Sequence, residues 1–340
     1  MKQESSPNLA GCPACASLAA PSPVEEHFDK IGGRRYQLVS CPGCGIVWTQ
    51  PRQAVGADWY KKLAPIRDLE RRPAPETNWR FQQFFSDELR PGRLLDVGCG
   101  DGGFLGLAAE RGFTPVGFDY DERVIAKAKA KGLSDVHAME FSDFLATRKK
   151  GEFDAMTMFE VLEHTPEPAW FIGQLKPLLK QGGHIAITLP NRLRPLPWGR
   201  EKLDFPPHHF TRWTPEVMRG FLERQGFEIV RQNARFLPLS YLSDHFFFFR
   251  LMPGVLALAR KLLFPGRGSP GATLTELYDQ SAGAPAGLLG NKLRRKHLAN
   301  AASRCFQLLF IPVGLCLRFY YRLREPNSGD CIYTLARYRG

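Results

Sequence analysis

The chain has 340 residues, of which 44% are hydrophobic and 24% charged, a composition that excludes an intrinsically disordered protein. Because this length exceeds one typical compact core, we expect one large domain with attachments, or two domains. The net charge of +12 is uneven: residues 192–340 carry 23 Lys and Arg against 10 Asp and Glu, whereas residues 1–191 carry −1. The basic part is suited to nucleic acid or to an anionic membrane, and composition alone does not choose between them.

The N-terminal segment lacks the apolar stretch of a secretory signal and contains closely spaced cysteines instead. We therefore expect a cytoplasmic, reducing environment. Four further cysteines are scattered along the chain, which does not favour a disulfide framework. They are Cys99, Cys305, Cys316 and Cys331.

Two short motifs of identical spacing, Cys12-Pro-Ala-Cys15 and Cys41-Pro-Gly-Cys44, flank a predicted hairpin. Such knuckles converge on one tetrahedral Zn²⁺ because thiolates suit a closed structural site. The motifs predict a zinc-ribbon-like module over residues 1–50, in which the metal folds the chain and does not catalyse. The alternative is four unligated thiols. The proline-bearing residues 51–76 then read as a linker.

The alternating helices and strands of a larger domain begin at residue 77, where Thr77 is predicted to cap a short helix. Residues 94–97 predict a strand that runs into a glycine turn containing Gly98, Gly100 and Gly103, followed by a helix over 104–111. The glycine spacing alone also satisfies the dinucleotide pattern, so a nicotinamide cofactor stays open at this point.

A second strand is predicted over residues 115–118, and Asp119 follows it 19 residues after Gly100. A carboxylate at this place accepts hydrogen bonds from ribose hydroxyls in open α/β domains, although it can also cap the next helix. A further strand and its exit are predicted over 153–164, and another strand over 184–189, with a helix over 174–179 and a turn at Gly182-Gly183 between them. Alternating strands and helices predict a doubly wound, mostly parallel sheet with its ligand at the carboxyl edge.

Taken together these motifs resemble the class I S-adenosylmethionine (SAM)-dependent methyltransferases, in particular a bacterial branch with an N-terminal cysteine-rich module. The resemblance covers residues 94–191. It is carried by Leu95-Asp-Val-Gly-Cys-Gly100, Asp119, Phe153-Asp154, Val161-Leu-Glu-His164, Leu175-Lys-Pro-Leu-Leu-Lys-Gln-Gly-Gly183 and Thr188-Leu-Pro-Asn191. It implies a seven-stranded Rossmann-like sheet whose last strand returns to pair inside it, plus a helical insertion before that strand.

The resemblance also implies a cofactor site. Asp96 and the backbone at Gly98 and Gly100 would hold the methionine part of SAM, and Asp119 the ribose. An aromatic face at Phe159 would lie near the sulfonium cation. Cys99 and Tyr120 are further implied contacts of the cofactor. Met139 and Glu140 would lie along the adenine edge, and the alternative for Met139 is a place in the core.

Methyl transfer needs the acceptor, the methyl carbon and the sulfur in line, and a base only where the acceptor must lose a proton. The candidate bases are His164, His208 and His209, the last two in a loop over 206–214 that resembles an acceptor-side loop. A structural role for these histidines is the alternative. The implied acceptor is small or lipid-linked, a sugar precursor or a quinone-like ring. An adaptor that binds SAM without turnover is the competing function.

The catalytic domain is predicted over residues 77–235, with a sixth strand from Phe227 and a last strand over 330–340. Between them, residues 236–329 contain two apolar segments, 251–264 and 305–321, with basic flanks. This pattern favours peripheral docking on the anionic inner face of a membrane, and its aliphatic character argues against nucleic acid. The alternative is a helical cover for the catalytic domain or a dimer contact, and the oligomeric state stays open.

Overall fold

A computed structural model describes residues 11–29, 32–53, 74–194, 204–236, 311–324 and 329–340. The strands are β1 (Ser22–Asp29), β2 (Arg34–Ser40), β3 (Val47–Gln50), β4 (Arg93–Val97), β5 (Thr114–Asp119), β6 (Val136–Ala138), β7 (Phe153–Phe159), β8 (Leu179–Pro190), β9 (Thr211–Arg212), β10 (Phe227–Arg235) and β11 (Cys331–Tyr338). The α-helices are α1 (Trp79–Phe85), α2 (Gly103–Glu110), α3 (Glu122–Ala130), α4 (Phe141–Ala146), α5 (Pro168–Leu175), α6 (Pro215–Arg224) and α7 (Ile311–Arg324).

Seven strands form the main sheet in the order β10-β11-β8-β7-β4-β5-β6. The five strands β4 to β8 pair in parallel, whereas β11 is antiparallel to both β8 and β10. The last strand of the chain therefore returns to the interior of the sheet. The predicted fold class is confirmed.

Both faces of the main sheet are buried, as the near-continuous apolar strands require. Alternate residues face opposite sides: Leu95 and Val97 join one core, while Leu94 joins the other. The first core receives side chains from α4, α5 and α6, and the second receives side chains from α1, α2 and α3. Helices on both faces fix the carboxyl edge of the sheet as the open side for a ligand.

A second sheet of four strands, in the order β1-β2-β3-β9, contains the cysteine-rich segment. Its side chains from Val39, Ile46 and Trp48 belong to the first core of the main sheet. Strand β9 comes from the loop before α6 and pairs with β3 through Val47 opposite Arg212 and Trp48 opposite Thr211. The cysteine-rich segment and the residues of the main sheet thus form one compact unit.

Some local predictions were wrong in detail. The cap of α1 is Asn78, whose side chain accepts from the Arg80 N–H, and Thr77 ends a preceding 3₁₀ helix. The helix predicted over 174–179 lies earlier, at Pro168–Leu175, and is followed by a 3₁₀ helix and by β8. Gly182, at φ +76°, does not separate β8 from the preceding chain, because residues 180–183 form an irregularity within one strand.

Most of the predicted insertion and the linker at 54–73 lie outside the described residues. Within 236–329 the structure describes α7, which belongs to a second compact unit of the chain. Four large apolar side chains of α7 are exposed, namely Leu315, Phe319, Tyr320 and Leu323. Over the described part of the chain, we find no helix with both the length and the apolarity to cross a membrane.

Candidate functional site

The glycine turn, residues 98–103, joins β4 to α2 at the carboxyl edge of the main sheet. Gly98 and Gly100 have φ values of +71° and +55°, which side chains of L-residues rarely adopt. A Cβ on Gly98 would lie 2.9 Å from Val161 Cγ2, so the glycine allows the loop after β7 to approach. A Cβ on Gly100 would meet no atom within 4 Å, and this backbone therefore borders space that a ligand can enter.

Asp96 lies on β4 directly before the turn and is 3% exposed. The hydroxyl of Thr157, on the neighbouring strand β7, donates to Asp96 Oδ1 at 2.6 Å. Burial raises the pKa of Asp96 to about 7; the Thr157 hydrogen bond opposes this shift and the nearby Asp119 charge adds to it. A cation that binds beside Asp96 would stabilise the ionised form of this carboxyl group, which burial disfavours.

Asp119 ends the adjacent strand β5 and faces the same turn. Its Oδ2 accepts from the Gly100 N–H at 3.2 Å, and its Oδ1 accepts from the Asp121 N–H at 3.0 Å. The cap of α3 is Asp121, which accepts from the Arg123 N–H, so helix capping does not account for Asp119. Two fixed carboxylates thus stand at neighbouring strand ends beside a glycine turn, where ribose hydroxyls and an ammonium group find acceptors.

The other predicted cofactor residues surround this edge. Met139 donates its N–H to the Asp119 carbonyl at 3.1 Å, and Glu140 is the cap residue of α4. Tyr120 is 53% exposed, whereas Cys99 is buried, which raises the pKa of its thiol. These positions agree with a ligand lying along the ends of β4, β5 and β6, and their contacts with it stay predictions.

Phe159, predicted near the sulfonium, packs in an aromatic cluster. Its ring centroid lies 4.8 Å from that of Phe104 and 5.3 Å from that of Phe81. Part of the Phe159 ring surface is therefore covered by neighbouring aromatic side chains, and its contact with the sulfonium stays a prediction.

Three imidazoles, which we call the histidine cluster, converge beside the end of β7. His164 ends a 3₁₀ helix after β7, and His208 and His209 lie in the loop before β9. Their ring centroids are separated by 4.5 to 4.8 Å. The structure therefore brings together all three histidines that the sequence predicts as candidate bases.

Backbone hydrogen bonds hold the loop of the histidine cluster from two sides. The Phe210 N–H donates to the Glu163 carbonyl at 2.8 Å, and the Thr49 N–H, from the cysteine-rich segment, donates to the Phe210 carbonyl at 2.9 Å. The β3–β9 pairing adds to this attachment. The position of His208 and His209 thus depends directly on the N-terminal sheet.

Burial dominates the electrostatics of the cluster. His209 is 9% exposed, and burial, followed by the charges of His164 and His208, lowers its pKa well below the ordinary value. Glu163 is 1% exposed, and burial, followed by the Glu160 charge, raises its pKa well above the usual range although Arg80 and Arg194 oppose the shift. A neutral imidazole with an available ring nitrogen can accept a proton or bind a metal ion.

Four thiols, the cysteine cluster, meet at the base of the N-terminal hairpin: Cys12, Cys15, Cys41 and Cys44. The Sγ atoms of Cys12 and Cys44 are 3.6 Å apart, those of Cys15 and Cys41 are 3.7 Å apart, and all four lie within 4.8 Å of one another. Tetrahedral Zn²⁺ with Zn–S bonds of about 2.3 Å places its sulfurs about 3.8 Å apart. The donor set and its dimensions therefore fit a structural zinc ion.

Several residues of the site are not evident from the sequence. Thr157 lies within an apolar strand, and only the pairing of β4 with β7 shows that it reaches Asp96. Asp204 Oδ1 lies 3.5 Å from His209 Nδ1, a contact made by the fold of the loop. Glu163 was visible as part of Val161-Leu-Glu-His164, but its burial follows from tertiary packing.

A family model described as a methyltransferase domain matches residues 67–232. A protein named ubiquinone biosynthesis O-methyltransferase from Acinetobacter baumannii (strain AYE) is 29% identical over 145 residues, which are 41% of this chain and 60% of that protein. A protein of the same name from Pseudomonas aeruginosa (strain LESB58) is 28% identical over 144 residues, 41% of this chain and 61% of that protein. The chain spans about 60% of the length of the curated relatives it matches.

Solved structures with a similar fold include a SAM-dependent methyltransferase from Archaeoglobus fulgidus. It is 16% identical, has a TM-score of 0.48 and covers 82% of this chain and 99% of its own. Another, from Aquifex aeolicus, is 18% identical, has a TM-score of 0.40 and covers 50% of this chain and 91% of its own.

Proposed function

We propose that this chain is a class I SAM-dependent methyltransferase that transfers the methyl group of SAM to a hydroxyl oxygen of a small, quinone-like aromatic acceptor. The observation that carries the proposal is the pair of carboxylates, Asp96 and Asp119, at adjacent strand ends beside the glycine turn. An adaptor that merely binds SAM would not need a second set of ionisable groups beside that turn, and the histidine cluster supplies one.

The cofactor is proposed to lie across the ends of β4, β5 and β6. Asp96 would accept from the ammonium group of the methionine part, and Asp119 from the ribose hydroxyls, while the backbone at Gly98 and Gly100 allows close approach. Met139 and Glu140 would border the adenine, with Cys99, Tyr120 and Phe159 completing the surroundings. The sulfonium supplies an activated methyl carbon, so this chain mainly aligns the reactants and excludes water.

The acceptor is proposed to face the histidine cluster. Val161 touches Gly98, and His164 follows three residues later, so the cluster adjoins the cofactor edge. During transfer the acceptor oxygen forms a bond to the methyl carbon as the carbon–sulfur bond breaks, and the hydroxyl proton has to leave. The histidine cluster is the group of side chains placed to assist that loss.

The quinone-like acceptor is suggested by the name of the relatives, which are called ubiquinone biosynthesis O-methyltransferases. A sugar precursor, the other acceptor expected from the sequence, is an outcome that the assay below distinguishes.

The cysteine cluster is proposed to hold a structural Zn²⁺. The N-terminal sheet pairs with β9 and contacts the loop of His208 and His209. By stabilising the fold of that sheet, the metal would also stabilise the acceptor side of the site.

We also propose that the basic residues 236–329 bring the enzyme to the inner membrane face, where it would meet a lipid-linked acceptor. Co-sedimentation with anionic and neutral vesicles tests that part by itself.

The experiment is a methyl-transfer assay that detects S-adenosylhomocysteine (SAH) release from purified enzyme. Dihydroxylated aromatic rings, with and without a prenyl tail, are compared with nucleotide-linked sugars. We expect turnover with the aromatic ring and at least a tenfold loss in kcat/KM for Asp119→Asn, about 1.4 kcal/mol of transition-state binding. Turnover with sugars alone would refute the proposed aromatic acceptor. SAH binding without turnover of any acceptor would favour an adaptor that binds SAM without catalysis.

A further inference from the structure

One imidazole nitrogen from each residue of the histidine cluster lies within 4.8 Å of one from each of the other two. Neutral imidazole is the commonest protein ligand for transition metals. Three such groups from two separate segments of the chain meet here, outside the residues assigned to the cofactor. Three histidines on one ion are a known set of protein ligands, and such a set leaves a further coordination position for water or a substrate.

We propose that His164, His208 and His209 bind a divalent transition-metal ion of the zinc class, separate from the metal of the cysteine cluster. Tetrahedral binding at about 2.0–2.1 Å places the nitrogens about 3.3 Å apart, so side-chain rotations that shorten the separations by up to about 1.5 Å complete the site. Nitrogen donors favour zinc, cobalt, nickel, iron or copper over magnesium and calcium, which prefer oxygen.

Two of the three histidines have an oxygen acceptor near Nδ1, which assigns Nε2 to the proposed ion. His164 Nδ1 lies 2.7 Å from the His208 carbonyl, which only accepts, so Nδ1 carries the proton and Nε2 has the lone pair. His209 Nδ1 lies 3.5 Å from Asp204 Oδ1. A carboxylate or carbonyl behind each metal-binding imidazole is the usual second layer of a histidine metal site.

A buried carboxylate beside the cluster is the second, independent observation. Glu163 is 1% exposed, and its Oε1 lies 3.9 Å from His164 Nε2. Within the described residues neither carboxylate oxygen of Glu163 accepts a hydrogen bond. Burial of such a group costs free energy unless it is paired, and a divalent cation held by the histidines provides a partner.

An open position on the ion would suit an acceptor hydroxyl, and this role rests on the methyl transfer proposed above. A hydroxyl bound to a divalent cation loses its proton more readily, as water does. The proton would leave to solvent, and the oxygen would then form its bond to the methyl carbon as the carbon–sulfur bond breaks. Metal binding itself does not depend on that role.

Cobalt(II) is the probe, because its absorption distinguishes thiolate from imidazole ligands. The full chain is stripped with a chelator, given one equivalent of Zn²⁺ to fill the thiolate site, and titrated with Co²⁺ by calorimetry and absorption. We expect one further equivalent to bind, with a Kd below about 100 µM and a spectrum that lacks thiolate charge-transfer bands. Thiolate bands alone, or no second equivalent, would overturn the proposal.

Matched variants locate the second ion. His164→Ala and His209→Ala should lose it, and Glu163→Gln should weaken it about 10- to 100-fold as an outer partner does. His137→Ala is the control, because His137 lies on β6, contacts Asp135 and is not part of the histidine cluster. Near-UV circular dichroism establishes that each variant is folded. Unchanged Co²⁺ affinity in folded His164→Ala and His209→Ala would refute the site.

SAH binding, measured on the same samples, separates this proposal from the proposed function. A second Co²⁺ equivalent without methyl transfer would support the metal site and count against the reaction. Methyl transfer that continues unchanged after the second ion is removed would support the reaction and refute the catalytic role of the ion.

Discussion

We predict that cofactor binding depends on pH, because the pKa of Asp96, the proposed acceptor for the ammonium group, is raised. An ammonium group binds the ionised carboxylate, whereas the ligand-free protein keeps Asp96 protonated below a pH of about 7. Acidification must therefore weaken binding, because each binding event then requires the release of a proton. SAH is the appropriate ligand, since it carries the same ammonium group and is chemically stable.

The size of the effect follows from the shift. A pKa raised from 3.8 to about 7 corresponds to about 4 kcal/mol of unfavourable ionisation in the buried site. With ionisation required for binding, the apparent Kd rises about tenfold for each pH unit below 7. Between pH 7.5 and pH 6 the SAH affinity should fall roughly eightfold.

Calorimetry over pH 5.5–7.5 in buffers of different ionisation enthalpy measures both the affinity and the proton released. The comparison variant is Thr157→Val, which removes the hydroxyl that donates to Asp96 and should move the inflection to higher pH. Asp96→Asn should bind SAH more weakly with no inflection. An affinity of wild-type protein that stays constant from pH 5.5 to 7.5 would refute the reasoning.

Three further changes test the rest of the structure. Gly98→Ala should destabilise the protein by about 1–3 kcal/mol in chemical denaturation, because φ is +71° and the added Cβ meets Val161. Tyr333→Phe should cost about 1–2 kcal/mol, since its hydroxyl donates to Asp87 at 2.5 Å in a buried part of the sheet. Cys41→Ser should release zinc, lower the melting temperature and weaken the attachment of β9, which limited proteolysis would detect.

Each of these variants has a control. Gly106→Ala, within α2 and with no atom near its added Cβ, should stabilise by up to about 1 kcal/mol. Tyr338→Phe and Cys316→Ser, at more exposed positions, should change stability by less than about 0.5 kcal/mol. If a variant and its control change the stability by the same amount, the physical reason given for that variant is wrong.

The arrangement of the sheet was predictable because its strands are short apolar runs separated by glycine turns and helices. Asp119 follows from its position at a strand end, which a parallel sheet brings to the ligand edge, whereas Asp96 was implied by the resemblance to the methyltransferases. Local boundaries were less predictable: Asn78 and Thr77 both suit a helix cap, and the structure uses Asn78, whose side chain accepts from the Arg80 N–H.

The acceptor side could be predicted only in part. The histidines stood out as titratable residues near a resemblance motif, yet their convergence depends on the pairing of β9 with the N-terminal sheet. That contact joins residues more than 160 positions apart, and no local pattern encodes it. The burial of Glu163 is likewise a tertiary property, because a glutamate before a histidine is ordinarily solvent-exposed.

Binding of SAH and NADH to the purified chain, measured by calorimetry beside Asp119→Asn and the helix-cap control Asp121→Ala, tests the central claim most directly. We predict one SAH per chain, no heat with NADH, and a loss of about 10- to 100-fold in affinity for Asp119→Asn, the equivalent of about 1.5–3 kcal/mol of charged hydrogen bonding. Asp121→Ala should bind SAH as the wild type does. Binding of NADH in preference to SAH, or an Asp119→Asn variant with wild-type affinity, would contradict the account.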